Sequence, residues 1–338
     1  MVKVSRNTKK GHEILSMQLP KLQLPKLVIS RRKALQYIAL GGLSLSGACG
    51  AGNLLKRAPK RKSFDNFTEN GIAADIPLEM VAIPAGTFWM GSPETEKDRH
   101  DNEGPQHKVS VPAFFMGKYE ITQAQWRSVA SWDAIERELS LEPSYFTGND
   151  NLPVEQVLSL DAVEFCKRLS SRTGRKYRLP TEAEWEYSCR AVRPVETPEN
   201  LTLELWNQKY LTRFYFGDDD NYSSLGDYAW LNINSNAKSH PVGEKKPNNF
   251  GLYDMSGNVG EWCQDDLDSS YQNAPNDGSA WEWEDQSDVF YLERVERGGS
   301  WLNDPKHCRS ANRDGHLRES GGSPDLGFRV ACSLSSMT

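Results

Sequence analysis

A chain of 338 residues with ten Trp and 26 Gly reads as one large, loop-rich domain, since Trp supplies core area while Gly punctuates turns. A mean hydropathy of -0.65 with 25% charged residues excludes a polytopic membrane protein. The formal net charge of -6 hides an uneven distribution: residues 1–65 carry about +12 and the remainder about -18. An acidic body argues against nucleic acid as the main partner, because phosphate binding needs a basic face.

The first 50 residues form a basic leader. Ser30-Arg31-Arg32-Lys33-Ala34-Leu35 resembles a twin-arginine export motif, and a Gly-rich, modestly apolar run follows from Ala34 to Ala48. That run is short of the roughly 20 apolar residues a membrane span needs. Cys49 after Ser46-Gly47-Ala48 loosely matches a lipoprotein cleavage site. The leader therefore reads as an export signal or membrane anchor, and as the chain's one route to a membrane; the competing reading is a disordered basic tail on a cytoplasmic protein. The tandem Gln18–Leu22 and Gln23–Leu27 is low-complexity, residues 51–75 read as linker, and residues 76–335 as the folded domain. Cys166, Cys189, Cys263, Cys308 and Cys332 are too few for a disulfide scaffold and lack the CxxC spacing of zinc sites, so most read as buried structural thiols.

In the body, Met80 to Gly91 reads as two short strands joined at Pro84–Gly86, residues 92–107 as an exposed loop, and 109–111 and 113–119 as further strands. Thr122 with Gln125 forms a capping box, predicting a helix from about Gln123. Residues 161–169 place apolar side chains at 162, 163, 166 and 169, a helical spacing. Thr181 with Glu184 caps a third helix, one-sided, with Trp185 packed inward. After residue 213 the chain shows no long helical pattern. The fold class is α+β with little regular structure: two or three early helices, then loops and short strands.

Five segments occur in the order of one family's signatures: Ile83 to Gly91, Met116 to Trp126, Leu179 to Tyr187, Asn249 to Trp262, and Arg297 to Val330. Together they resemble the formylglycine-generating enzyme (sulfatase-modifying factor) family over residues 78–332. The resemblance implies a C-type-lectin-like fold. In the catalytic members two cysteines follow a Gly-Gly-Ser-Trp-like turn and bind copper(I), which soft thiolates suit. Here the first position is Asn303, a poor copper(I) ligand. Cys308 falls at the second position if no gap intervenes; in the other register, with Arg309–Arg313 aligned on the family's Arg-x-Ala-Ala-Arg run, it lies outside the site. The family's Trp ahead of the Glu-Trp pair is replaced by Gly260. Copper and a catalytic role are therefore not expected, with Cys308 the single candidate thiol and a formylglycine-generating oxidase the alternative reading. The similar sulfoxide synthases carry an iron-binding HxxxHxE motif, which this sequence lacks.

Two further expectations follow. Asp254, Gly257, Val259 and Glu261 fall where family members bind calcium, and carboxylates with turn carbonyls are hard ligands suited to it; the competing reading is that the two acids cap a turn. In residues 302–325 a framework (Arg297–Trp301, Pro305, Cys308–Ala311, Arg313, Leu326–Val330) brackets chemically mixed side chains. These are Leu302, Asn303, Asp304, Lys306, His307, Asn312, Asp314, His316, Leu317, Arg318 and Glu319. A rigid framework displaying mixed loop residues is how binding surfaces are built. The pattern also resembles the variable proteins of diversity-generating retroelements, which use this fold. The sequence thus reads as a non-catalytic, ligand-binding protein whose partner is a protein or other macromolecule, bordered by the aromatics of Trp281-Glu282-Trp283. An ordinary solvated loop is the competing reading.

Overall fold

The computed structural model describes residues 64–73, 75–283, 292–318 and 322–334. The twin-arginine-like motif, the run to Ala48, Cys49, most of the linker and Glu319 lie outside the described residues. Among the described residues no helix is long and apolar enough to cross a membrane.

The core is built on a five-stranded sheet in the order β1 (Phe67–Ala73), β2 (Ile76–Ile83), β5 (Phe114–Gly117), β11 (Ala331–Ser333) and β6 (Tyr177–Arg178). Its last-formed strand in sequence, β11, sits between β5 and β6, so the C-terminal segment is locked into the sheet from both sides. β1 corrects the expected linker: it pairs antiparallel with β2, and Phe67 meets Phe115 edge-to-face at 4.9 Å. An aromatic partner in the core draws these residues into the domain, where local composition had suggested a tether. β3 (Gly86–Met90) and β4 (His107–Val111) form a separate antiparallel pair. A four-stranded sheet, β10 (Leu326–Gly327), β7 (Gly260–Asp266), β8 (Glu293–Arg297) and β9 (Asp314–Leu317), carries the C-terminal signatures. Its β10–β7 pair is parallel and the others antiparallel.

Helices stand where the caps place them. α1 (Gln123–Ala130) starts with the Thr122–Gln125 box, Oγ1 accepting from Gln125 N at 3.3 Å and Oε1 from Thr122 N at 3.1 Å. α2 (Ser159–Thr173) extends the expected helix and ends on Gly174 at φ 73°, a left-handed stop. α3 (Glu182–Arg190) has the Thr181–Glu184 box, but it is not one-sided. All nine of its residues are buried, because its charged side chains meet partners instead of water. A fourth helix, α4 (Leu203–Lys209), was not read from the sequence; Thr202 caps it and Trp206 anchors it in the core. Nor is the 92–107 loop wholly exposed: Glu103 is buried against Arg309, far along the chain, and buried Ser92 donates to Glu103 at 2.6 Å within the loop itself.

Three hydrophobic clusters fill the interior. The first joins α1 and α2 to the five-stranded sheet through Trp126, Phe165 and Phe328, with Trp126 stacked on Phe165 at 5.6 Å. The second packs α3 and the β3–β4 pair against β7 and β8. The third is small: Phe214, Leu225, Ala229, Leu231 and Cys308.

Candidate functional site

α3 carries Glu182 and Glu186 one turn apart, so both carboxylates point the same way toward the C-terminal segment. Glu182 takes Arg313 through both oxygens, at 2.6 and 2.9 Å, and Arg297 at 3.2 Å. Glu186 takes Arg297 at 2.6 Å and Arg190 at 2.8 Å. Arg297 also donates to the carbonyls of Ser310 and Ala311, at 2.8 and 3.2 Å. Burial pushes the Glu186 carboxyl up, but Arg190 and Arg297 more than offset this and hold it below its ordinary range. Arg309, equally buried, pairs with Glu103 and with Glu96 at 2.7 Å. Arg329 grips Glu261 at 2.6 Å through two nitrogens. The framework arginines are therefore internal struts.

Between Arg297 and Arg309 the chain turns over Gly298 (φ 96°) and Gly299 (φ 66°). A side chain at 299 would meet Cys308 Sγ at 2.7 Å and His307 O at 2.9 Å, so glycine is required. Cys308 lies directly beneath, 1% exposed, inside the third cluster. Burial pushes its thiol well above the ordinary cysteine range. A thiol so placed is inert, because the thiolate is the nucleophile and metal ligand. In this structure Cys308 is a packing residue of the third cluster. Cys166, Cys189, Cys263 and Cys332 are likewise free and buried. At Asn303, Oδ1 accepts from Ser300 Oγ at 2.7 Å, and that hydroxyl also contacts Asp325 Oδ2 at 2.8 Å. The Glu296 carboxyl, which burial and then Asp325 and Asp314 push well above its ordinary range, occupies the space vacated at Gly260: a Cβ there would lie 2.2 Å from its Oε1.

The expected display residues divide into three groups. Leu302 and Asp304 face solvent; Asn303, Lys306, His307, Asp314, His316 and Leu317 are half-buried. Asn312 and Arg318 are buried, which corrects their place on the surface. Asn312 Nδ2 donates to Asp314 Oδ2 at 2.9 Å, and Arg318 pairs with Asp266. Strand β9, formed by Asp314–Leu317 against β8, is what draws this part of the segment inward. Trp281–Trp283 does border it, since Asp266 receives Trp283 N at 2.8 Å while holding Arg318. Two loops went unread. Phe146 stacks edge-to-face on Trp301 at 5.3 Å beside exposed Tyr145, and Asn232, next to exposed Ile233, reaches Asp304 Oδ1 at 2.5 Å. No local signal joins residues so far apart in sequence.

The calcium quartet lies in a left-handed turn, with Asp254 at φ 56°, Gly257 at 80° and Asn258 at 63°. Glu261 is already committed to Arg329 and to Trp185 Nε1, the latter at 2.8 Å. Asp254 Oδ2 accepts from Gly243 N at 2.7 Å. Buried Glu120 stands nearby, accepting from Asn258 and Val259, so three interior carboxylates face one guanidinium. Burial first, then Glu261, pushes Asp254 up to about 6 despite Arg329, and burial with both acids raises Glu120. Among the described residues no three His, Cys, Asp or Glu side chains converge as metal ligands. The chemistry of the donor set suits a hard cation taken by Asp254 and turn carbonyls, with Glu261 spoken for.

Residues 69–334 match the family described as "Sulfatase-modifying factor enzyme 1-like domain", and the chain belongs to that family. The resemblance read from the five signatures holds, and with it the C-type-lectin-like α+β fold. The chain is 28% identical to the "Chaperone protein LppX" of Paenibacillus barcinonensis, over 75% of this chain and 89% of that protein. Among solved structures, PvdO from Pseudomonas aeruginosa superposes with a TM-score of 0.66 at 31% identity, covering 81% of this chain and 100% of PvdO. The Treponema denticola variable protein 1 superposes with a TM-score of 0.59 at 25% identity, covering 79% and 99%.

The strut network makes a direct prediction. Glu182→Ala strips Arg313 of its carboxylate partner and Arg297 of one of two, leaving buried charge uncompensated. Chemical denaturation should show a loss of about 3–5 kcal/mol; a loss under about 1 kcal/mol would mean the network is not holding the segment.

Proposed function

We propose that this chain is a non-catalytic ligand-binding protein that displays a C-terminal surface, residues 302–325, on a formylglycine-generating-enzyme-like scaffold, and that this segment is one a diversity-generating retroelement rewrites. The observation that carries the reading is the division of labour along Arg297–Val330. Arginines 297, 309, 313 and 329 are buried and ion-paired, while Leu302 and Asp304 between them face solvent. Side chains of the second kind can change without touching the struts. The likeness to the Treponema denticola variable protein supports the same reading. The partner is a protein or other macromolecule, and the acidic body disfavours nucleic acid.

Copper chemistry finds little support. Asn303 supplies no thiolate, and Cys308 is held as a neutral thiol in an apolar cluster. We further propose a structural calcium at Asp254 with the carbonyls of Gly257 and Val259, where its charge would balance the excess of buried carboxylate. The leader is proposed to export or anchor the chain.

Three measurements decide among these statements. In the neighbouring DNA, a near-copy of codons 297–330 differing only at adenines, beside a reverse transcriptase gene, is expected; its absence would overturn diversification. Copper(I) titration with a sulfatase-motif peptide should give neither tight binding nor aldehyde, and finding both would restore the oxidase. Removing calcium with a chelator should lower Tm by roughly 5 °C, as expected for a site saturated about a hundredfold above its Kd; an unchanged Tm would remove the ion.

A further inference from the structure

Two imidazoles and a carboxylate meet where the 92–107 loop lies against the C-terminal segment. His307 Nδ1 stands 3.4 Å from Asp314 Oδ2. That is longer than an ordinary hydrogen bond, and Nδ1 is buried without a hydrogen-bond partner. It is, however, the spacing of two donors on one tetrahedral ion. Nitrogen and oxygen ligands of zinc at about 2.0–2.1 Å, set at the tetrahedral angle, lie about 3.3–3.4 Å apart. Octahedral geometry at the same bond lengths would bring them to about 2.9 Å. The His100 ring stands 5.8 Å from the His307 ring, centroid to centroid. Two imidazoles sharing a tetrahedral ion would have centroids roughly 5 Å apart.

Each of the three is held by a neighbour. Buried Asn312 donates Nδ2 to Asp314 Oδ2 at 2.9 Å. His307 lies in a short turn after Pro305, closed by its N–H on Asp304 O at 3.0 Å. His100 donates its backbone N–H to Glu103 Oε1 at 2.9 Å, and Glu103 is the buried partner of Arg309. Outer contacts of this kind orient metal ligands. Burial pushes the Asp314 carboxyl up, but His307, Asn312 and His100 more than offset this and keep it ionised. Two amide oxygens beside the cluster, Oδ1 of Asn312 and of Asn102, are also buried without partners. Asn102 is placed there by its Nδ2 on Arg313 O at 3.3 Å. His307 and Asp314 are thus preset, and His100 is the donor out of place. As the chain stands the three do not converge on one point, and turning the half-buried His100 ring closes the gap.

We propose that His307, Asp314 and His100 bind a zinc ion, with water at the fourth position, and so tie the 92–107 loop to the C-terminal segment. Two imidazoles with one carboxylate suit zinc, whereas calcium takes oxygen donors alone, so this site and the one proposed at Asp254 select different ions. The site does not depend on the display reading. If both hold, His307 and Asp314 belong with the framework, while Leu302 and Asp304 remain the side chains free to change.

Calorimetric titration of the untagged full chain with zinc chloride tests this, with calcium kept saturating throughout. One zinc per chain should bind, raising Tm by several degrees. Cobalt(II) in place of zinc should give the intense visible bands of a tetrahedral ion. His100→Ala, His307→Ala and Asp314→Asn should each weaken zinc binding roughly tenfold or more and abolish the rise in Tm. Each variant should melt like the parent chain when zinc is absent, which separates a lost ligand from a lost fold. No saturable zinc binding, an octahedral cobalt spectrum, or zinc affinity indifferent to His100→Ala and His307→Ala would each overturn the proposal. The diversification reading stands or falls separately on the neighbouring DNA.

Discussion

Two glutamates one helical turn apart hold this molecule's C-terminal third in place. Glu182 and Glu186 project from a helix with no solvent face, and three arginines from three parts of the chain converge on them. Isolated charges could not lie so deep, because removing an unpaired ion from water costs several kcal/mol. Each guanidinium is therefore matched by carboxylate oxygens and by backbone carbonyls, and the matching fixes the geometry. Arg297 and Arg313 tie the two ends of the Gly-Gly-Ser-Trp excursion to the same glutamate. What lies between is anchored at both ends, and its tip is left in solvent.

This arrangement separates what must be kept from what can change. Gly299 and Cys308 fit against each other so closely that neither position tolerates a larger group without displacing the turn. Cys308 belongs to the packing, in company with Phe214 and Leu225. Leu302 and Asp304 sit a few residues away under no such constraint. The Glu296 carboxyl lies against Gly260, where the resemblance would place the family's indole, and the Asn303 amide stands where it would place the first thiolate.

The surface around Trp301 is completed by loops that the chain assembles from afar. Residues 144–146 reach Trp301 through Phe146 and are pinned by Glu155, while residues 232–235 lock onto Trp301 and Asp304. Burial pushes the Glu155 carboxyl up to about 7, a cost borne by placing it where two backbone amides need an acceptor.

The sequence by itself determined the local and the familial. Thr122 with Gln125 and Thr181 with Glu184 announced two helix starts, because a capping box is complete within four residues. The five ordered signatures announced the family, because turn glycines, strut arginines and core tryptophans are legible one position at a time. The tertiary structure alone decided the rest. It made β1 a strand through Phe115, buried all of α3 by bringing Arg297 and Arg313 to it, and hid Asn312 and Arg318 by pairing β9 with β8. It also placed Cys308 in an apolar cluster and brought Phe146 and Asn232 to the Trp301–Asp304 turn. The physical reason is common to all of these: whether a side chain is strut, filler or surface depends on partners tens to hundreds of residues away. Spacing along the chain records only neighbours.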